Sequence, residues 1–389
     1  MHTATIETST QANLGIWPQH ATRAFFFIGG FGAASWAPLV PFLKARLQIG
    51  EDVLGLLLLC IGIGSLCTMP VTGIAVTRFG CRLVLTVGAF IYAFLLLVLS
   101  QISSFWLAVP TLLAFGAAMG MVDVAANIHA VIVEKAAGRR LMSGMHALWS
   151  VGGFLGAGFF AVLLKLGLTP LTATLCATGV MLVALTFFGR FLLTYRGESE
   201  ESSPFAVPRG IVAFIGIITC IAFLVEGAIM DWGGIFLTLV RGLDISMAGT
   251  GFAVFSAAML IMRLTGDWLV QKLGSKPIIL GGSVLYIMGF LLIIFAPGQA
   301  LLYSGFFLIG IGSANIVPVF FSLLGKQKVM PLSMAVSAVS TLGYLGIVMG
   351  PAAIGFIAHQ TTLPTSFCLL AGLVVLQMGV ASYVYKKVL

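Results

Sequence analysis

The sequence has very little charge. Only 8% of its 389 residues are Asp, Glu, Lys or Arg, whereas soluble globular proteins carry roughly 25%. Hydrophobic residues make up 60%, and the mean hydropathy is +1.12. This composition excludes a soluble globular protein. Because a helical membrane span needs about 20 apolar residues, we expect an all-α polytopic membrane protein with about a dozen spans.

Several kinds of functional site are also missing from the sequence. The six cysteines form no close pair of the metal-binding or redox kind, and no G-x-x-x-x-G-K-[ST] phosphate loop is present. The net charge of +8 comes from basic residues spread singly through short loops, without a basic patch. We therefore expect no metal, no cofactor and no nucleic acid, and we see no cleavable signal peptide in the polar N-terminal stretch.

Apolar runs bounded by charge, proline and glycine predict twelve spans. They cover residues 23–43, 52–76, 82–101, 106–131, 142–165, 169–194, 210–240, 247–271, 277–296, 298–325, 329–355 and 363–385. The most polar interruption falls at the middle of the chain and is rich in acids, serines and prolines. We therefore predict four regions: a polar N-terminal tail (1–22), a six-helix bundle (23–194), a linker (195–209) and a second six-helix bundle (210–389).

The distribution of lysine and arginine among the loops predicts the orientation. If the N-terminus is cytoplasmic, fifteen of these residues fall on the cytoplasmic side and four on the other, namely Lys44, Arg46, Lys165 and Arg241. Because cytoplasmic loops carry the excess of basic residues, both termini are predicted to be cytoplasmic.

The two halves of the chain repeat each other. The segment T-R-F-G-C-R at 77–82 recurs as Q-K-L-G-S-K at 271–276, a shift of 194 residues. Gly116 and Gly310 keep the same shift, and S-V-G-G-F-L-G at 150–156 matches S-T-L-G-Y-L-G at 340–346. Two parallel six-span halves are the plan of one superfamily of secondary transporters.

The loop between spans two and three carries the most recognisable motif. Residues 73–82 read G-I-A-V-T-R-F-G-C-R, which resembles the G-x-x-x-D-R-x-G-R-R signature of the major facilitator superfamily. Thr77 stands where the family usually has Asp, and in the family this loop helps to latch the two halves together. The resemblance covers the whole chain and implies a fold of two pseudo-symmetric six-helix bundles.

A narrower resemblance is to the YbjJ-like bacterial subgroup of that superfamily, which is distantly similar to fucose permeases. It is carried by five segments: S-W-A-P-L-V-P-F-L-K at 35–44, D-V-A-A-N at 123–127, M-H-A-L-W-S-V-G-G at 145–153, V-E-G-A-I-M-D-W at 225–232 and R-L-T-G-D-W at 263–268. Members of this subgroup tend to carry Arg where Leu39 lies here, so no substrate contact is transferred to that position.

Ionisable residues within apolar spans suggest proton coupling, because such residues are costly in a membrane without a partner or a use. Asp123 and Asn127 share one face of the fourth span. Asp123 is a candidate proton site, with His146 of the fifth span as a modulating neighbour. The alternative is a structural hydrogen-bonded pair, or a wet histidine near the interface. Glu226 is the deepest carboxylate and the leading alternative proton site.

Polar and aromatic residues at mid-span are candidates for a substrate cavity. Asp231 and Trp232 could bind a sugar or an amine, or could be an interfacial anchor. Trp36, Trp149 and Tyr344 could line the cavity or pack against neighbouring helices, and Asn127 belongs to the same candidate group.

Basic residues and one further acid are candidates for gating and ion pairing. Arg263 is the only basic residue well inside a span, so we expect it to face an acid on a neighbouring helix, an anionic substrate or a water-filled cavity. Asp267, one turn on, would belong to the same cytoplasmic gate. The remaining candidates lie in the repeated loops: Arg78, Arg82 and Lys272.

These features favour a secondary active transporter of the bacterial inner membrane that moves a small organic solute by alternating access. Proton symport of a sugar-like or other polar metabolite is the first hypothesis. Proton-driven efflux of drugs, siderophores or other apolar metabolites is the alternative. An intramembrane lipid transferase or a channel is less favoured, because the acids are spread over both halves and no filter-like segment is present. Expected partners are the solute, protons and the lipid bilayer. We expect a monomer, and we do not expect an enzyme.

Overall fold

The computed structural model describes residues 15–195, 207–244 and 247–388. Among these residues the only regular elements are helices. Their bounds are α1 (Trp17–Trp36), α2 (Val40–Leu47), α3 (Glu51–Phe79), α4 (Cys81–Leu99), α5 (Phe105–Ala137), α6 (Met142–Lys165), α7 (Pro170–Gly189), α8 (Ile211–Ile235), α9 (Thr250–Leu273), α10 (Ser275–Phe295), α11 (Gln299–Ser313), α12 (Ile316–Leu324), α13 (Leu332–Gln360) and α14 (Leu363–Val388). Most of the predicted N-terminal tail and the centre of the predicted linker lie outside the described residues.

Twelve helical segments are long and apolar enough to cross a membrane, and each corresponds to one predicted span. The first span consists of α1 and α2, joined by a 3₁₀ turn at Ala37–Leu39 that contains Pro38. Because proline cannot donate a backbone hydrogen bond, it loosens the helix at this point. The tenth span consists of α11 and α12, which meet at Ala314 and Asn315.

The helices form two six-span bundles, the fold class predicted from the sequence. In the N-terminal half α1 packs along α6, and α3 along α5; in the C-terminal half α8 packs along α13, and α9 along α11. The halves meet mainly where α3 contacts α13 and where α6 contacts α9. Since α9 repeats α3 and α13 repeats α6, these two seams are related by the internal pseudo-symmetry.

The repeat extends to backbone geometry. Gly80 and Gly274 have φ of +88° and +87°, and their N–H groups bond the carbonyls of Val76 and Val270, all at the 194-residue shift. Glycine adopts this conformation without steric strain, which explains its use at both turns. Gly116 lies against the carbonyl oxygen of Ile61, and Gly310 lies against that of Phe255, again at the same shift.

Two arginines on the less basic side of the protein have an evident structural use. Arg46 donates to the carbonyls of Leu99 (2.8 Å) and Ile102 (2.9 Å), and Arg241 donates to the carbonyl of Ala296. Both cap the ends of α4 and α10, where the last carbonyls of a helix lack intrahelical partners. These two exceptions to the basic-residue bias therefore belong to the pseudo-symmetric framework.

Candidate functional site

We use the name terminal side for the end of the bundle where α5 ends and α6 begins. With twelve spans, both described ends of the chain lie on this side. The hydrogen bonds of Asp267, Thr77, Ser337 and Arg263 between the halves lie at this end or within about three turns of it, whereas the Tyr344 contacts lie deeper. The positions of the polar side chains are given relative to this side.

Asp123 lies in the middle of α5. It precedes the helix end at Ala137 by fourteen residues, or about 21 Å at 1.5 Å per residue. The fourth span predicted from the sequence ends at residue 131, six residues earlier. Glu134 is instead a buried helical residue whose Oε2 accepts the N–H groups of Leu141 and Met142 at 2.8 and 2.9 Å. Asp123 is consequently deeper than the sequence indicated.

The Asp123 carboxylate is half-buried and has one hydrogen-bonding side chain beside it. Asn127 donates from Nδ2 to Asp123 Oδ1 at 3.3 Å and to the Asp123 carbonyl at 2.9 Å. Asn127 itself is buried, and its Oδ1 has no partner among the described residues. The amide therefore orients the carboxylate, as the four-residue spacing predicts.

Tyr344 of the C-terminal half lies near this carboxylate. Its hydroxyl contacts Met119 Sδ at 3.8 Å, interacts with the Ser65 side chain, and is close enough to Asp123 for electrostatic interaction. Ser65 in turn donates to the Gly116 carbonyl at 2.7 Å. Side chains from α3, α5 and α13 thus form one polar cluster between the two halves.

A second polar cluster surrounds Arg263 of α9. Its Nη2 lies 3.8 Å from Glu226 Oε2, its Nε donates to the Ala314 carbonyl at 3.2 Å, and its Nη1 donates to Ser150 Oγ at 3.0 Å. The Arg263 side chain is 7% exposed, whereas that of Glu226 is 31% exposed. Glu226 also faces the Tyr286 hydroxyl. The guanidinium therefore connects an accessible acid of its own half to a serine of the other half.

His146 is not paired with Asp123 in this structure. Its ring packs against Phe26 and Phe321 at centroid distances of 5.0 and 6.1 Å, and its buried Nε2 has no hydrogen-bond partner among the described residues. The Arg263 guanidinium is close enough to the ring to interact with it electrostatically. Because His146 is four residues into α6 and Asp123 is fourteen from the end of α5, their depths differ by roughly 15 Å.

Asp267 joins the two halves at the terminal side. Its two carboxylate oxygens accept the N–H groups of Ser143 (2.9 Å) and Gly144 (2.7 Å), in the first turn of α6. The Arg23 guanidinium lies close enough to interact with the same carboxylate. A carboxylate is well suited to this position, because the first N–H groups of a helix lack intrahelical partners and carry partial positive charge.

The opposite seam uses neutral hydroxyl groups. Thr77, which stands where the family motif has Asp, lies 2.7 Å from Ser333 Oγ across the interface between α3 and α13. One turn deeper, Ser337 donates to the Met69 carbonyl and accepts the Gly73 N–H at 3.3 Å. The missing acid is thus replaced by a hydroxyl contact at the corresponding point.

The remaining cavity candidates are three tryptophans that pack against neighbouring helices, and Asp231. Trp36 is buried against Phe115, and the Trp149 ring covers Gly29 of α1. Trp232 Nε1 donates to the Pro351 carbonyl at 3.2 Å. Asp231 is exposed. A cavity role for these four residues stays a prediction.

The basic residues of the repeated loops lie at helix ends. Arg82 donates to the Arg190 carbonyl at the end of α7 (2.8 Å). The Arg78 guanidinium lies 5.4 Å from the Phe79 ring centroid, and Lys272 Nζ lies 4.9 Å from that of Trp268. These contacts order the loops locally, and a gating role for the three residues is not tested by them.

Sequence reasoning missed the serines that join the halves. Ser150, Ser333 and Ser337 lie in segments noted for their glycines or for their apolar character. The available signal was the spacing of Ser333 and Ser337, which places two hydroxyls on one face of a long apolar helix.

The profile of the Major Facilitator Superfamily matches residues 24–328 and 215–387. An uncharacterized MFS-type transporter of Yersinia pestis is 48% identical over 354 residues, covering 91% of this chain and 92% of the relative. An uncharacterized transporter of Sinorhizobium fredii is 32% identical over 377 residues, covering 95% and 98%.

The fold is also shared with solved transporter structures. FucP in the outward conformation superposes with a TM-score of 0.77 at 15% identity, covering 94% of this chain and 98% of the other. FucP is described as the E. coli fucose:proton symporter. At this identity the likeness shows the fold alone. With the profile match and the two relatives, the chain belongs to the Major Facilitator Superfamily of membrane transporters.

Proposed function

We propose that this protein is a proton-coupled symporter of the bacterial inner membrane for a small polar organic solute. The observation that carries the proposal is the position of Glu226. This acid is accessible, lies within a span, and faces a buried arginine that also binds the opposite half of the protein. An ionisable group in such a place can convert proton binding into a change between conformations.

The proposed coupling follows from the competition for Arg263. When Glu226 is ionised, it attracts the guanidinium toward the C-terminal half. When Glu226 is protonated, this attraction is lost, and Arg263 retains Ser150 of the N-terminal half and the Ala314 carbonyl. Protonation would therefore favour the arrangement described above, in which the halves meet at the terminal side.

The solute would bind between Asp123 and Tyr344 on one side and Glu226 on the other. These groups offer acceptors and a hydroxyl donor, which suit a sugar-like or other hydroxyl-bearing solute. Likeness of fold to the fucose:proton symporter is compatible with this class. With the terminal side cytoplasmic, as the basic loops predict, the structure corresponds to an outward-facing state.

The screen that tests symport measures pH outside weakly buffered cells that express the protein. Addition of a transported solute should make the medium more alkaline, and the Glu226→Gln variant should abolish this change. A broad panel of sugars and polar metabolites without any alkalinisation would contradict symport. If the same cells instead extruded apolar compounds when given a proton gradient, the efflux alternative would replace it.

Orientation and oligomeric state are tested separately. A fluorescent protein that folds only in the cytoplasm, fused to the C-terminus, should fluoresce in bacterial cells, and light scattering of the purified protein should give the mass of one 41.0 kDa chain plus detergent. A fusion without fluorescence would contradict the predicted cytoplasmic C-terminus. A doubled protein mass would contradict the monomer.

A further inference from the structure

A cavity of about 580 Å³ opens at the terminal side, between the two halves. The N-terminal half contributes the end of α5 and the loop before α6. The C-terminal half contributes the turn between α9 and α10 and the end of α12. The wall includes Gly138, Gln271, Ser275 and Gly325. Because these are helix ends and short loops, the cavity lies near the membrane surface and away from the proposed solute site.

The charge in this cavity is strongly positive. Among the described residues, one carboxylate and five basic side chains line it. The basic side chains are those of Lys135, Arg139, Arg140, Lys276 and Lys326. The carboxylate is that of Glu134, which already accepts two backbone N–H groups and lies 3.4 Å from Arg140. Little of its charge is left to neutralise the other four basic side chains.

The basic residues come from both halves. Lys135 and Arg139 belong to the N-terminal half, whereas Lys276 and Lys326 belong to the C-terminal half. When the terminal side closes, like charges are therefore brought together around one cavity. Such closure is unfavourable unless an anion lies between them.

Among the described residues, one helix start at this cavity has no cap. In the N-terminal half the first N–H of α4, that of Cys81, bonds the Tyr195 carbonyl at 2.9 Å. The matching residue in the C-terminal half is Ser275, the first of α10, and among the described residues its N–H has no backbone acceptor. Ser275 and Lys276 line the cavity. The start of a helix beside lysine and arginine is a favourable place for a phosphate.

We propose that this cavity binds a phosphate group, carried by an anionic lipid headgroup or by a soluble phosphorylated metabolite. The bound anion neutralises basic side chains of both halves at once. It thereby stabilises the conformation in which the terminal side is closed. This site is separate from the solute site and does not depend on symport.

The test compares purified wild-type protein with the double variant Lys276→Gln/Lys326→Gln. One arm measures binding of short-chain phosphatidylglycerol by native mass spectrometry, with phosphatidylcholine as the neutral lipid. The other arm measures binding of pyrophosphate in neutral detergent. We expect wild-type binding in at least one arm, which identifies the source of the phosphate. The double variant should bind about 30-fold more weakly there, from roughly a fivefold loss per positive charge.

A matched control has the same loss of charge on the same side of the protein. Lys328→Gln/Arg209→Gln removes two basic residues that do not line the cavity and should bind the anion within about twofold of wild type. Equal weakening in both double variants would mean diffuse attraction to a basic face and would overturn the proposal. Absence of binding in both arms would overturn it as well.

A conformational readout tests the second half of the proposal. Spin labels at Phe79 and Lys328, introduced as cysteines in a cysteine-free background, report the distance between the halves at the terminal side. The anion identified above should increase the short-distance population in the otherwise wild-type background. It should leave the population unchanged in Lys276→Gln/Lys326→Gln. No response in either background would show that the anion does not bridge the halves.

Discussion

Asp267 of the C-terminal half accepts the backbone N–H of Gly144 in the N-terminal half at 2.7 Å. A second bond, from Ser143, completes a carboxylate cap on the first turn of α6. This capped helix start is a connection between the two halves that involves a charged side chain. It is formed only when the terminal side is closed, so its strength contributes to the balance between conformations.

Asp267→Asn should shift that balance away from the closed terminal side. The amide presents one oxygen acceptor instead of two, and it lacks the charge that favours the helix start. Since a hydrogen bond to a charged group contributes about 1.5–3 kcal/mol, the closed population should fall about tenfold or more relative to the open one. Distance distributions between spin labels at Phe79 and Lys328 measure the shift. An unchanged distribution would show that this cap does not affect the conformation.

Thr77→Asp should have the opposite effect. It restores the acid of the family motif beside Ser333, in the first turn of α13, and would offer this helix start a carboxylate, as Asp267 does at the start of α6. We expect a larger closed population in the same spin-label measurement. Thr77→Val is the matched variant, since it removes the hydroxyl at similar volume. It should destabilise the closed state by about 1 kcal/mol, which lowers the ratio of closed to open protein about fivefold. Equal behaviour of the two variants would refute the analogy between the seams.

Glu226→Gln and Asp123→Asn should separate proton coupling from solute binding. If Glu226 couples the proton, its Gln variant should still exchange solute across proteoliposomes but should lose accumulation driven by a pH gradient. Asp123→Asn should weaken solute binding and leave the pH dependence of the residual transport intact. Measurements of exchange and of gradient-driven uptake on the same preparations distinguish these results. The reverse pattern would assign the proton to Asp123.

The two buried histidines should respond differently to substitution. His129 shares a 2.8 Å contact between its Nδ1 and Thr22 Oγ1, and its Nε2 accepts the Leu193 N–H at 2.9 Å. His129→Leu leaves that buried N–H unsatisfied and should lower the free energy of unfolding by about 2 kcal/mol. His146→Phe should cost little, because an aromatic ring then packs between Phe26 and Phe321 without an unpartnered nitrogen. Thermal stability in detergent is the measurement, and a larger loss for His146→Phe would point to a polar partner that its Nε2 requires.

Gly116→Ala and Gly310→Ala should destabilise the protein to a similar extent. In each case the new methyl group would overlap a backbone carbonyl, that of Ile61 or of Phe255. Because backbone cannot move aside as a flexible side chain can, we expect about 1–3 kcal/mol of destabilisation from each. Gly179→Ala is the control, since nothing lies within 4 Å of the added methyl group. If Gly179→Ala lost as much stability as Gly116→Ala and Gly310→Ala, overlap with the backbone carbonyl would not explain the loss.

Span number and the internal repeat could be predicted from the sequence because hydrophobic length and glycine spacing are local signals. Glu134 shows where such signals fail. A charged residue at the end of an apolar run favours a loop. The Glu134 carboxylate instead accepts two backbone N–H groups at the start of α6, so its charge has partners within the helical region. The resulting error of about six residues placed Asp123 too near the terminal side and His146 too near Asp123.

The contacts of Arg263 show a different limit. A buried guanidinium requires partners, and Glu226 could be named from the sequence as a buried acid. Which acid pairs with Arg263 depends on how α8 and α9 are rotated about their axes. The pattern of residues within one span does not give this rotation. Ser150 could not be identified at all, because a serine in an apolar helix usually bonds its own backbone.

Gly116 and Gly310 also determine how the protein can move. Where backbone lies directly on backbone, as between α3 and α5 or between α9 and α11, the two helices have no side chains between them that could change rotamer and allow sliding. Each half is therefore stiff along these lines. The seams between the halves contain hydroxyls, the Asp267 carboxylate and the Arg263 guanidinium, groups that can exchange their partners for water. If the proton and the anion bind as proposed, their binding free energy would be expected to appear as a rotation of one stiff half against the other.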